Sequence, residues 1–132
     1  MKDYPGLAWF ERYRAQVNSD RELKVIGGWF TTTFALAFGD SRYAIKVEKG
    51  QIAEIIPSPK FDVRTLFGFR APLEVWRKFL SPDPPPLFHD FFAMLMRVPE
   101  FVLEGDGLVA MQNARALHRM MNIMRQTGAP HG

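Results

Sequence analysis

From Trp29 to Ile56 the hydrophobic pattern repeats every second residue, in three runs separated by two short turn signals. Side chains alternate between the two faces of a strand, so this periodicity predicts β-structure. In WFTTTFALAF, Phe30, Phe34, Leu36 and Phe38 share one face. Trp29, Thr31, Thr33, Ala35 and Ala37 share the other. RYAIKVEK sets Tyr43, Ile45 and Val47 against Arg42, Lys46 and Glu48. QIAEII follows the tight turn Lys49-Gly50, and Gly39-Asp40-Ser41 joins the first two runs. The spacing predicts a three-stranded antiparallel meander. Gly27 and Gly28 before it predict a bulge or a close backbone approach.

The flanking segments have other periods. Leu7 to Val17 reads as a helix with Phe10, Tyr13 and Val17 on one stripe, ending at Asn18-Ser19-Asp20. Pro57-Ser58-Pro59 breaks the ladder, because proline donates no hydrogen bond. FDVRTLFGFR predicts another strand from Phe61, with Phe61, Val63, Thr65, Phe67 and Phe69 on one face. Pro72 opens a helix whose stripe is Leu73, Trp76, Phe79 and Leu80. SPDPPP is a stiff loop, and the next segment carries the helical stripe Phe88, Phe91, Phe92 and Leu95, with Met94 and Met96 off it. Phe101 to Leu103 reads as a short strand. One long helix is predicted from Gly107 to about Arg125, burying Ala110, Ala114, Leu117, Met121 and Met124, and Gly128-Ala129-Pro130 stops it.

The expectation is therefore an α+β fold: one domain over residues 1–132, with a largely antiparallel sheet of about five strands flanked by helices. Composition narrows the function. The chain has no cysteine, which excludes disulfides, thiolate nucleophiles and zinc–thiolate sites. Its net charge of +3 is spread among acidic residues, not gathered into the basic face that nucleic acid requires. No apolar run spans a bilayer, and the charged N-terminus MKDYPGLAWFERYR is unlike a signal peptide, so a cytoplasmic location is expected.

Few residues suggest chemistry. In EGDG, Glu104 and Asp106 lie two apart, as an acid–base pair would. Acidic residues ahead of a helix also cap it, and that is the reading preferred here. His118 is expected in solvent at the edge of the last helix. His89 and Asp90 are sequence neighbours that point in different directions on a helix, so a catalytic pair would need a partner from elsewhere. Three scattered histidines, His131 among them, do not make a metal site, and no cofactor is implied. What stands out is surplus apolar side chain, since six of the seven methionines fall in the last third. Methionine suits surfaces that accept variable apolar shapes, but it also fills ordinary cores.

The meander Tyr43–Ile52, the strand from Phe61 to Leu66, the helix from Pro72 through Trp76 to Leu80, and FVLEGD running into the Met-rich helix together resemble the sterol carrier protein 2 family. The resemblance covers roughly Val25 to Met124. It implies an apolar cavity between the sheet and the C-terminal helices. It also implies non-enzymatic binding or transfer of a fatty acyl, sterol or isoprenoid-quinone type lipid, a role some bacterial accessory proteins have. The ligand-binding residues so implied are Phe34, Leu36, Phe67, Trp76, Phe88, Phe91, Phe92, Leu95, Met111, Leu117 and Met121, with Thr31, Thr33 or His89 orienting a head group. The connection SPDPPPLFHDFFAMLMRVPEF is longer than the family's usual one, and the tail GAPHG is not a peroxisomal address. Two rival expectations are a small isomerase or lyase using His89, Asp90 or Asp106, and an interaction subunit whose Phe91–Met96 patch is covered by a second copy or another protein. The same patch suits transient contact with a membrane.

Overall fold

The computed structural model describes residues 5–60 and 62–127. The order of elements is α1 (Leu7–Ser19), α2 (Arg21–Ile26), β1 (Thr32–Phe38), β2 (Ser41–Glu48), β3 (Gln51–Pro57), β4 (Phe67–Ala71), α3 (Leu73–Leu80), α4 (Phe91–Arg97), β5 (Val102–Gly105), α5 (Gly107–Gln112) and α6 (Ala114–Gln126). The expected α+β architecture forms. Its five strands run in the order β3-β2-β1-β4-β5, and every pairing is antiparallel except β1 with β4.

The meander follows its alternation. Phe34, Leu36 and Phe38 of β1, Tyr43, Ile45 and Val47 of β2, and Phe67 and Phe69 of β4 are all buried on the inner face. Helices cover that face. From α1 come Trp9, Phe10, Tyr13 and Val17, and from α3 come Val75, Trp76, Phe79 and Leu80. Two of the buried polar rings reach backbone carbonyls far along the chain: Tyr13 Oη donates to the Met120 carbonyl at 2.8 Å, and Trp76 Nε1 to the Ala37 carbonyl at 2.8 Å. Burial pushes the Tyr13 phenol well above its ordinary pKa.

Among the described residues no helix covers the outer face, yet Ala35, Ala37, Ala44 and Gly68 are buried there. Glu104 of β5 lies across Gly68 and pairs with Arg42 of β2, while Arg70 Nε approaches its other oxygen at 3.3 Å. A roof of ionic side chains thus replaces a helical layer. It works only over small residues, because a Cβ at Gly68 would lie 2.8 Å from Ala35 Cβ.

Several expectations change. Asn18-Ser19-Asp20 does end α1, at Asp20, but Asp20 also starts α2, a six-residue helix too short to show a period. Trp29 lies outside β1 and is 96% exposed. Gly27 makes the expected close approach, its Cβ position falling 3.0 Å from Gly50 Cα. β3 runs through Pro57, and β4 begins at Phe67. In the C-terminal third, Met94 is buried and Met96 is 83% exposed, because α4 starts at Phe91 and turns a different stripe inward. The predicted long helix breaks at Asn113, whose Nδ2 donates to the Val109 carbonyl at 2.9 Å. Such a side-chain bond competes with the helical ladder. Phe61, His131 and the Gly128–Pro130 stop lie outside the described residues.

Candidate functional site

Two grooves adjoin along α6. The first, of about 440 Å³, lies over the α6 face bearing Arg115, His118, Arg119 and Asn122. Its walls are Glu22 and Ile26 of α2 and Phe92 of α4. The second, of about 290 Å³, sits at the α5–α6 break, where Trp29, Phe30 and Met111 face Asn113 and Ala116. Ile26, Ala114 and Arg115 border both, and each groove mixes polar and apolar walls. A third hollow, about 480 Å³, opens on the outer face of the sheet beside Arg42, Arg70 and Glu100, away from the apolar interior.

The first groove is held by charge pairs. Asp20 caps α2 by accepting from Leu23 N, and Arg119 donates to both its oxygens, at 2.7 and 3.1 Å. These bonds from Arg119 hold the Asp20 carboxyl below its ordinary range and raise the guanidinium in turn. Arg119 Nε also lies 3.0 Å from Glu22. Across the groove the His118 ring stacks on Phe92 at 5.8 Å, and its Nε2 lies 3.6 Å from Asp90 Oδ2. Arg125 donates to the carbonyls of Phe79, Phe88 and His89, anchoring the proline-rich loop to α6. Its partial burial lowers its pKa.

The polar residues singled out in the sequence separate. Asp106 caps α5 through Val109 N at 3.1 Å, as expected, while Glu104 turns to Arg42 and Arg70, so the two form no acid–base pair. Asp90 caps α4 through Phe92 N at 2.8 Å, and the partner brought to it from elsewhere in the chain is His118. His118 is therefore not simply solvated. His89 is exposed. Among the described residues no cluster of His, Asp or Glu could hold a metal ion. No helix is long and apolar enough to cross a membrane, among the same residues.

Of the eleven apolar residues named from the resemblance, Phe34, Leu36, Phe67, Trp76, Phe91, Leu117 and Met121 lie together in the core. The Phe34 and Phe67 rings stack at 5.4 Å, and Phe69 meets Phe91 edge-on at 5.5 Å. Phe88 and Leu95 are half-buried against that core. Phe92 lines the first groove and Met111 the second. Sequence reasoning missed the rest of the groove. Leu23 and Ile26 do share an i, i+3 spacing that could have revealed α2, but Arg119 and Asn122 carried no signal beyond a polar helix face.

A five-stranded sheet in this order, with helices over one face, has counterparts among solved structures. A crystal structure of sterol carrier protein 2 superposes with a TM-score of 0.75 at 17% identity, covering 94% of this chain and 98% of its own. The fold is SCP2-like. The conserved hypothetical protein TT1886 of Thermus thermophilus agrees, with a TM-score of 0.75 at 17% identity over 100% of this chain and 94% of its own. An SCP2-like ubiquinone synthesis protein, UbiJ, aligns more loosely, at 0.58 and 11% identity over 88% and 87%. No protein-family model and no curated protein sequence matches the chain.

Proposed function

We propose that this SCP2-like chain binds and carries a lipid-like apolar ligand without transforming it. The observation that carries this reading is the position of Phe30. Phe30 borders the open groove at the α5–α6 break, and its buried ring stacks on Phe34 at 6.4 Å, which stacks on Phe67. The groove therefore adjoins the aromatic interior through one buried residue, and on this reading α5 swings aside at the Asn113 break. A tail entering there meets Phe34, Leu36, Phe67, Trp76, Phe91, Leu117 and Met121. Phe88, Phe92, Leu95 and Met111 form the rim. Removing such a tail from water is worth about 25 cal/mol per Å² before ordering costs.

The neighbours' names fit this reading, one being a sterol carrier protein and another a ubiquinone synthesis protein. Fatty acyl, sterol and isoprenoid-quinone lipids are the classes to try first. The exposed Trp29 beside the groove suits contact with a membrane during loading. The test is uptake of fluorescent acyl, sterol and quinone analogues by delipidated protein at micromolar concentration. Trp29 is solvent-exposed while Trp9 and Trp76 are buried, so uptake should register as a change in Trp29 emission that Trp29→Phe abolishes. Protein that takes up none of the three classes would end the carrier reading.

A further inference from the structure

The groove between α2, α4 and α6 has features that an apolar tail alone does not explain. Asn122 lines it, yet its Oδ1 is sealed from solvent and accepts no hydrogen bond among the described residues. Leaving a buried acceptor unpaired costs about 1–3 kcal/mol, and native proteins rarely retain one without a use. A ligand in the groove reaches that oxygen only if the amide turns about χ2 to present it. The charges around it are already matched: Arg119 serves Asp20 and Glu22, and His118 faces Asp90. Arg115 stands exposed at the rim, where water and salt screen it. These walls ask for a hydrogen-bond donor, with no strong preference for an anion. The parallel rings of Phe92 and His118 opposite Ile26 give the donor's carrier a flat apolar berth.

Resting on the carrier reading, we infer that the groove between α2, α4 and α6 is a head-group subsite for a neutral, hydroxyl-bearing amphiphile whose hydroxyl donates to Asn122 Oδ1. Its apolar body runs along α6 toward Phe30 and Met111. From Asn122 to Asn113 is nine residues of helix, about 14 Å, so a long-chain alcohol spans from the subsite to the break.

The experiment sets octadecenol against its methyl ether, which keeps the acceptor and the chain but loses the donor, each displacing a fluorescent acyl probe from delipidated protein. The alcohol should bind about tenfold tighter, and Asn122→Leu should shrink that advantage to about twofold or less. Independently of the variant's stability, the Asn122 side-chain amide signals of the wild-type protein should shift on titration with the alcohol and stay put with the ether. Equal displacement by alcohol and ether would overturn the subsite while leaving the carrier reading standing. Oleate binding more tightly than the alcohol would overturn its neutrality. Displacement by neither would remove the carrier reading and the subsite together.

Discussion

At Gly68 the uncovered face of the sheet depends on a missing methyl group. A Cβ there would sit 2.8 Å from Ala35 Cβ, 3.0 Å from the Ala35 carbonyl and 3.2 Å from Glu104 Oε1. Two of those neighbours are fixed by the parallel pairing of β1 and β4, so only Glu104 can yield. Gly68→Ala should cost about 1–3 kcal/mol and loosen the Arg42–Glu104 pair, measured as a lower urea midpoint at unchanged slope. An unshifted midpoint would show that the roof tolerates the methyl. Asp20 supports a second prediction. Its folded pKa lies below the ordinary 3.8, so its contribution is complete above that value and is lost as pH falls through the folded value. Asp20→Asn should lower stability near neutrality and flatten the acid limb below pH 3.8, as followed by denaturation at a series of pH values. These residues differ in how far the chain announces them. Asp106 as a cap is legible because its partner, Val109 N, is three residues away. The Glu104–Arg42 pair spans 62 positions and the Asp20–Arg119 pair 99, and no local pattern predicts contacts of that range.

Elements show the same dependence on range. The meander is legible because each strand is long enough for alternation to register, and both turns carry glycine. α2 is lost because six residues contain less than two turns. β4 appears too long in the sequence because Val63 and Thr65 continue the alternation where the chain has not yet joined the sheet. Edge strand β3 shows how one element protects another. Its pairing with β2 shifts between Lys46 and Val47, which leaves Ala53 unpaired with β2. Asn18 of α1 takes the place of a strand, accepting from Ile52 N at 2.7 Å and donating to the Ile52 carbonyl at 3.0 Å. Arg14 donates to the Ile52 and Ala53 carbonyls. Unpaired edges invite pairing with other chains. Asn18→Ala should therefore cost about 1–2 kcal/mol and speed hydrogen exchange at Ile52 N–H selectively. Equal speeding throughout β2 and β3 would mean that Asn18 supports the whole sheet and does not act locally.

For the whole molecule, the question is where twelve phenylalanines and a methionine-rich last third go. Composition counts apolar side chains but cannot tell interlocked rings from a lined hollow. Folding places Phe34, Phe67, Phe69, Phe91 and Phe101 in one run of ring contacts, with Met120, Met121 and Met124 over them from α6. On the carrier reading a guest enters by moving elements, and their unequal anchoring says which. The central strands and α6 hold the deepest core. α4 and α5 are seven and six residues long, each with an Asp cap at its start, and helices so short are marginal without tertiary support. Hydrogen exchange should therefore open α4 and α5 well before β1, β2 and α6. If these helices gate the interior, a saturating lipid analogue should slow their exchange most. At a hundred times its dissociation constant it should add about 2.7 kcal/mol, a rise of roughly 8 °C in Tm for a chain of this size. A ligand that only adheres to the surface near Trp29 would protect that loop and leave α4 and α5 exchanging as before. That outcome would mean the aromatic interior is a sealed core and the chain holds its lipid on the outside.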